Sequence, residues 1–116
     1  MSIESGLQYE QAACDYLVGQ GMRCIARNVR YKFGELDLVM HDVDTLVFVE
    51  VRARATRRYG GALASIDERK QHRVRLAAQR LLLRYRAQVP RCRFDIVAFE
   101  AGEIAWVRDA FDAGID

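Results

Sequence analysis

The chain has 116 residues and a formal net charge of +2, with 51% of its residues hydrophobic and 29% charged. That length fits a single domain, residues 1–116, able to bury about two thirds of its unfolded surface, and the balance excludes a disordered or membrane-embedded chain. No apolar stretch nears the ~20 residues of a membrane span, and "MSIESGLQYE" lacks the basic and apolar regions of a signal peptide, so the chain reads as cytoplasmic with no membrane partner.

From Ser5 to Gln20, Leu7, Ala13, Cys14, Leu17 and Val18 recur near helical spacing and Gly21 supplies a stop, which predicts a first helix. "MRCIARNVR" then reads as a strand, followed by a turn around Tyr31 to Gly34. "ELDLVM" and "TLVFVEVRA" are two further strands joined by the turn residues of "HDVD". "RATRRYGGALAS" is a basic loop with paired glycines. Ser65 and Glu68 stand at capping-box spacing, so a second helix is expected from Ser65 to about Ala87, before Pro90. Val74, Ala77, Ala78, Leu81 and Tyr85 form its buried stripe. "RFDIVAF" and "EIAWVRD" alternate as a last pair of strands around "EAGE", and "FDAGID" is a short acidic tail. The order is αβββαββ, an α/β domain with a mixed sheet flanked by two helices.

Cys14, Cys24 and Cys92 are widely spaced without a CxxC, which reads as three small core residues and not as a disulfide framework or a zinc site. Of the 18 basic residues only Lys32 and Lys70 are lysine. Arginine suits bidentate contacts to phosphate or carboxylate, although genomic base composition gives the same bias.

"TLVFVEVRAR" places Glu50 where the apolar run is densest, with Arg52 and Arg54 two and four positions on. If a loop from Asp42 to Thr45 closes the hairpin, Asp37 opposes Glu50, Glu35 opposes Arg52, and Val39 opposes Phe48. Opposed Cβ atoms lie roughly 4.5 to 5.5 Å apart, and two like charges there destabilise the sheet unless a cation compensates. A hard divalent ion such as Mg²⁺, held by the two acids with water and substrate phosphate, would do so. An arginine in a structural ion pair, Arg52, Arg54 or one from the following loop, would do so equally, and these residues alone leave both open.

"GELDLV", "FVEVRAR", Lys70 in a capped helix and "RFDIVAFE" together resemble the YraN family of small bacterial proteins. Its fold resembles restriction endonucleases and Holliday-junction resolvases. The likeness runs from Gly6 and Glu10 to Phe94 and Asp95. In the wider PD-(D/E)xK superfamily an acid on one strand precedes (D/E)xK on the next, within an αβββαβ core. The resemblance therefore implies a restriction-endonuclease-like fold, with Asp37 and Glu50 as ligands of Mg²⁺ or Mn²⁺ and Glu10 as a further acidic member.

This chain departs from the pattern at Arg52, where the family resembles "FVEVKxR". A lysine there can orient or deprotonate water, whereas a guanidinium cannot act as a base but can contact the scissile phosphate. Lys70 would supply an ammonium if its helix packs beside the site. Arg54, Arg57 and Arg58, in and before the glycine loop with Tyr59, suit phosphate contacts and base stacking, and Lys70 joins them as an expected nucleic-acid contact. Arg69, Arg73, Arg80 and Arg84 follow one helix stripe that reads as a solvated face, and His41 and His72 read as surface residues. The expectation is a metal-dependent nuclease acting on DNA rather than RNA, branched DNA included, with Asp37, Glu50 and Arg52 as its catalytic residues. The alternative is a non-catalytic nucleic-acid-binding or scaffold protein that keeps the fold. The oligomeric state is open, a dimer included.

Overall fold

The structure, a computed structural model, describes residues 3–54 and 66–112. Helix α1 (Ile3–Gly19) ends where Gly21 takes a left-handed conformation at φ 98°. The Met22 N–H then bonds the Leu17 carbonyl at 3.1 Å and the Gly21 N–H bonds that of Val18 at 3.0 Å, which satisfies carbonyls the helix leaves unpaired. Ala13, Cys14 and Leu17 are buried, but Leu7 and Val18 are each 50% exposed. Those two lie about a quarter turn round the helix from the buried stripe, so the apolar pattern overcounts the inner face.

Strands β1 (Arg23–Tyr31), β2 (Gly34–Asp42) and β3 (Thr45–Arg54) follow as an antiparallel run. Helix α2 (Glu68–Leu82) carries the chain across to β4 (Arg91–Glu100), which pairs parallel with β3, and β5 (Glu103–Phe111) closes the sheet antiparallel. The result is a mixed five-stranded sheet in the order β1-β2-β3-β4-β5, with the element order read from the sequence. Left-handed Ala101 and Gly102, φ 50° and 80°, make the β4–β5 turn tight.

Alternation divides β3 between two layers. Val47, Val49 and Val51 pack under α1 with Leu38, Met40 and Val97. Leu46 and Phe48 pack under α2 with Leu36, Val39 and Phe94. Helix α2 differs from expectation at both ends. Its N-cap is Asp67, whose side chain accepts the Lys70 N–H at 2.9 Å, while Ser65 lies outside the described residues. It stops at Leu82, where Leu83, Arg84 and Tyr85 tighten into turns bonded three residues back, yet Tyr85 still packs on the core.

The three cysteines are free, Cys14 buried and the others partly so. His72 is exposed, but His41 is half-buried beside the β2–β3 turn, a correction to its surface reading. Among the described residues no helix is long and apolar enough to cross a membrane.

Candidate active site

The β2–β3 ladder has the register expected from the turn, running from Asp42 opposite Thr45 through Val39 opposite Phe48 to Leu38 opposite Val49. At the next step side chains replace ladder bonds. Asp37 Oδ2 accepts the Val51 N–H at 2.9 Å, and the Asp37 N–H reaches Glu50 Oε2 at 3.4 Å. The two acids are thus adjacent, as read from the sequence. The next expected pair, Glu35 opposite Arg52, is not formed, since the ladder ends at Leu38 opposite Val49, and Glu35 ion-pairs instead with Arg30, its partner in β1, at 3.6 Å.

Asp37 sits where β2 changes faces. Strict alternation would send Leu36 and Leu38 to one side of the sheet, yet Leu36 packs under α2 and Leu38 under α1. Across from Asp37, between Arg27 and Val29, Asn28 adopts φ 49°, a left-handed conformation that asparagine tolerates. Beyond Asp37 alternation is regular, with Leu38 and Met40 under α1 and Val39 under α2.

Glu50 keeps the parity of Leu46 and Phe48, so it projects beneath α2 and is fully buried. Burial pushes its carboxyl up to about 8, with the Asp37 charge adding to the shift and Lys70 and Arg52 opposing it. Asp37, half-buried, is also raised, mainly by desolvation, against the Val51 N–H and the charges of Lys70 and Arg52. Glu10 stands three, four and seven residues before Ala13, Cys14 and Leu17, on the buried stripe of α1. Burial raises its carboxyl first and the Asp37 charge second, so it shares the field of the pair. Among the described residues no three His, Cys, Asp or Glu side chains group closely enough to hold an ion together. Asp37 and Glu50 form the close pair.

Two cations attend it. Lys70 Nζ lies 3.6 Å from Glu50 Oε1. It is held there from two directions, since its own N–H is tied to the Asp67 cap and α2 is pressed against the start of β2. A Cβ on Gly34 would collide with the Arg73 carbonyl oxygen, so only glycine permits this approach. Arg52, two residues beyond Glu50, is half-buried.

Nominal charges balance, but hydrogen bonds do not. The buried side-chain polar atoms without a hydrogen-bond partner among the described residues are Glu10 Oε1, Glu50 Oε1 and Arg52 Nε. Buried polar atoms are normally satisfied, and each exception asks for an explanation. The adjacent carboxylates of Asp37 and Glu50, both pushed towards protonation, offer oxygen atoms of the kind that suits a hard divalent cation. Arg54 is exposed at the end of β3, and Arg57 and Arg58 lie outside the described residues. The cap at Asp67, the close contact at Gly34 and the kink at Asn28 were missed from the sequence. Only "GELD" carried a local sign, its glycine opening the strand that holds Asp37.

The sequence profile of the uncharacterised protein family UPF0102 matches residues 9–99, which include the four residues of this cluster, Asp37, Glu50, Arg52 and Lys70. A UPF0102 protein of Ralstonia nicotianae is 50% identical over 111 residues, covering 92% of this chain and 85% of its own. One from Herminiimonas arsenicoxydans is 49% identical, covering 93% and 86%. Another, from Burkholderia pseudomallei, is 52% identical, covering 93% and 75%. With the profile spanning most of its length and relatives at half identity, the chain belongs to the uncharacterised protein family UPF0102.

Proposed function

We propose that this chain has a restriction-endonuclease-like fold and is a metal-dependent phosphodiesterase acting on DNA, branched DNA included. The observation that carries the reading is the pair of adjacent acids, Asp37 and Glu50, with Glu50 fully buried and its Oε1, beside Lys70, without a hydrogen bond among the described residues. A sheet gains nothing from such a pair on stability grounds, since the two acids repel when both are ionised and a protonated Glu50 still leaves a buried polar atom unsatisfied.

Asp37 and Glu50 would hold Mg²⁺ or Mn²⁺, with Glu10 as a further acidic member. Such an ion, when bound, supplies an acidified water as nucleophile and offsets negative charge on the phosphate. Asp37 keeps one oxygen on the Val51 N–H, which fixes the carboxylate plane. Arg52, whose Nε–H has no partner among the described residues, is a donor for a phosphate oxygen and stabilises charge as it develops. Lys70 places an ammonium at Glu50, in the neighbourhood where Arg52 supplies only a guanidinium.

A second reading, a binding or scaffold protein without catalysis, is favoured by Arg52 itself, which cannot take a proton from water. Two measurements separate them. Calorimetric titration with Mn²⁺ should show binding that Asp37→Ala and Glu50→Gln each weaken at least about tenfold. Incubation of single-stranded and branched DNA with Mg²⁺ or Mn²⁺ should show cleavage that Glu50→Gln abolishes. Mn²⁺ affinity unchanged in Glu50→Gln would remove the metal site, and DNA binding without cleavage would leave the second reading.

A further inference from the structure

The β1–β2 hairpin tip and the outer face of α2 form a second surface, next to the acidic pair but separate from it. Tyr31 and Phe33 stack with centroids 5.9 Å apart and planes 14° from parallel. The Arg80 guanidinium lies over Tyr31, 5.8 Å from its centroid. Phe33 remains 42% exposed. Beside it opens a shallow recess of about 400 Å³ lined by Phe33, Leu76, Gln79, Arg80 and Leu83.

The surroundings are strongly basic. Lys32, Arg69, Arg73, Arg80 and Arg84 are all exposed, and the chain carries no Asp or Glu from Arg69 to Phe94. An apolar recess alone would suit many occupants, but flat rings among cations complement a polyanion that also carries flat, stackable groups. The Gly34 contact with Arg73 holds the hairpin tip on α2, so the platform is fixed relative to Lys70. Lys70 and Arg80 are about 15 Å apart along the helix, so a strand whose phosphate lies at Glu50 reaches Phe33 within a few nucleotides.

We propose that the surface formed by Phe33, Tyr31 and Arg80, with Arg73, binds single-stranded nucleic acid by stacking an unpaired base on Phe33 and neutralising the adjoining phosphates. This rests on the nuclease reading and deepens it, because it makes unpaired nucleotides flanking the scissile phosphate the recognised feature. Duplex DNA, whose bases are stacked on one another, offers nothing to the platform.

The test is fluorescence anisotropy with labelled oligothymidine and with an abasic strand of equal length, in EDTA so that no cleavage intervenes. Wild type should prefer oligothymidine, and Phe33→Ala should weaken that binding at least about fivefold without changing affinity for the abasic strand. Phe33→Trp should retain the affinity and show quenched fluorescence on binding. Arg73→Gln with Arg80→Gln should weaken both strands and flatten the salt dependence. Equal binding of the two strands by wild type, or oligothymidine affinity unchanged in Phe33→Ala, would overturn the proposal. So would a self-associating protein that Phe33→Ala turns monomeric while its oligothymidine binding stays intact. Metal-dependent cleavage is read separately: its absence with stacking intact defeats the nuclease and not the platform, and its presence with stacking absent does the reverse.

Discussion

Glu50 and Asp95 lie one register step apart on the parallel strands β3 and β4, both fully buried, and the fold treats them in opposite ways. Asp95 accepts from Arg93 Nε at 3.0 Å, from Trp106 Nε1 at 3.0 Å and from the Asp109 N–H at 2.9 Å. Asp109 takes a left-handed φ of 51° to deliver that last donor. Among the described residues Glu50 receives one long bond on one oxygen and none on the other. The difference separates an acid whose bonding capacity is used for structure from one whose capacity is free for something that binds.

Removing Asp95 should therefore be a stability mutation. Asp95→Ala leaves Arg93 with Asp42 at 3.0 Å as its one acidic partner among the described residues and takes the acceptor from the indole N–H, so a loss of about 3 kcal/mol is expected in chemical denaturation. Mn²⁺ affinity should stay within about twofold of wild type. A variant as stable as wild type would show that the network contributes little.

Glu50 should give the opposite result, and it should depend on pH. Its carboxyl is held at about 8 in the folded protein against an ordinary value of 4.5, so between those values the native state binds a proton that the unfolded chain does not. In metal-free buffer this contribution is complete below about pH 4.5 and is lost as pH rises through 8, at up to roughly 1.4 kcal/mol per pH unit. Glu50→Gln should flatten the profile and be the more stable protein at pH 9. Parallel profiles for the two proteins from pH 5 to 9 would contradict this.

How much of this could be read in advance varies with the range of the interaction. The turn residues of "HDVD" set the β2–β3 register, and the register placed Asp37 beside Glu50, because both are local consequences of a short loop. The dip in apolar character at Glu50 was visible for the same reason. The approach of Lys70 to Glu50 joins residues far apart in sequence and was only conditional until α2 could be seen packed on β2. Asn28 gave no warning that it would turn left-handed, since that conformation is an option for asparagine and not a requirement. The cap moved from Ser65 to Asp67 because both residue types suit that position, and spacing alone cannot choose between them.

Lys70 and Arg52 are expected to divide the cationic work at Glu50. On the nuclease reading, Lys70→Met should lower metal-dependent cleavage by about 10² while leaving the fold intact, since its side chain is only partly buried. Arg52→Lys should raise cleavage above wild type and recover part of the loss when added to Lys70→Met. No gain from Arg52→Lys in either background would show that an ammonium at that position is not what limits the reaction.

Gly34→Ala should cost about 2 kcal/mol, because the new methyl group meets the Arg73 carbonyl oxygen and backbone must shift. Thermal unfolding gives the cost. The same variant should change Mn²⁺ affinity without touching any proposed ligand, as α2 retreats and the Lys70 ammonium leaves its place at Glu50.

That helix-to-strand contact has a consequence for how the protein can change over time. Lys70 is stationed by one main chain resting on another, with the Asp67 cap as the side-chain contact that holds its N–H. Substitutions along the outer surface of α2 are thus free to remodel what the protein recognises while the spacing of charges at Glu50 stays constant. Recognition and chemistry can drift independently, with the missing Cβ of one glycine as the hinge pin between them.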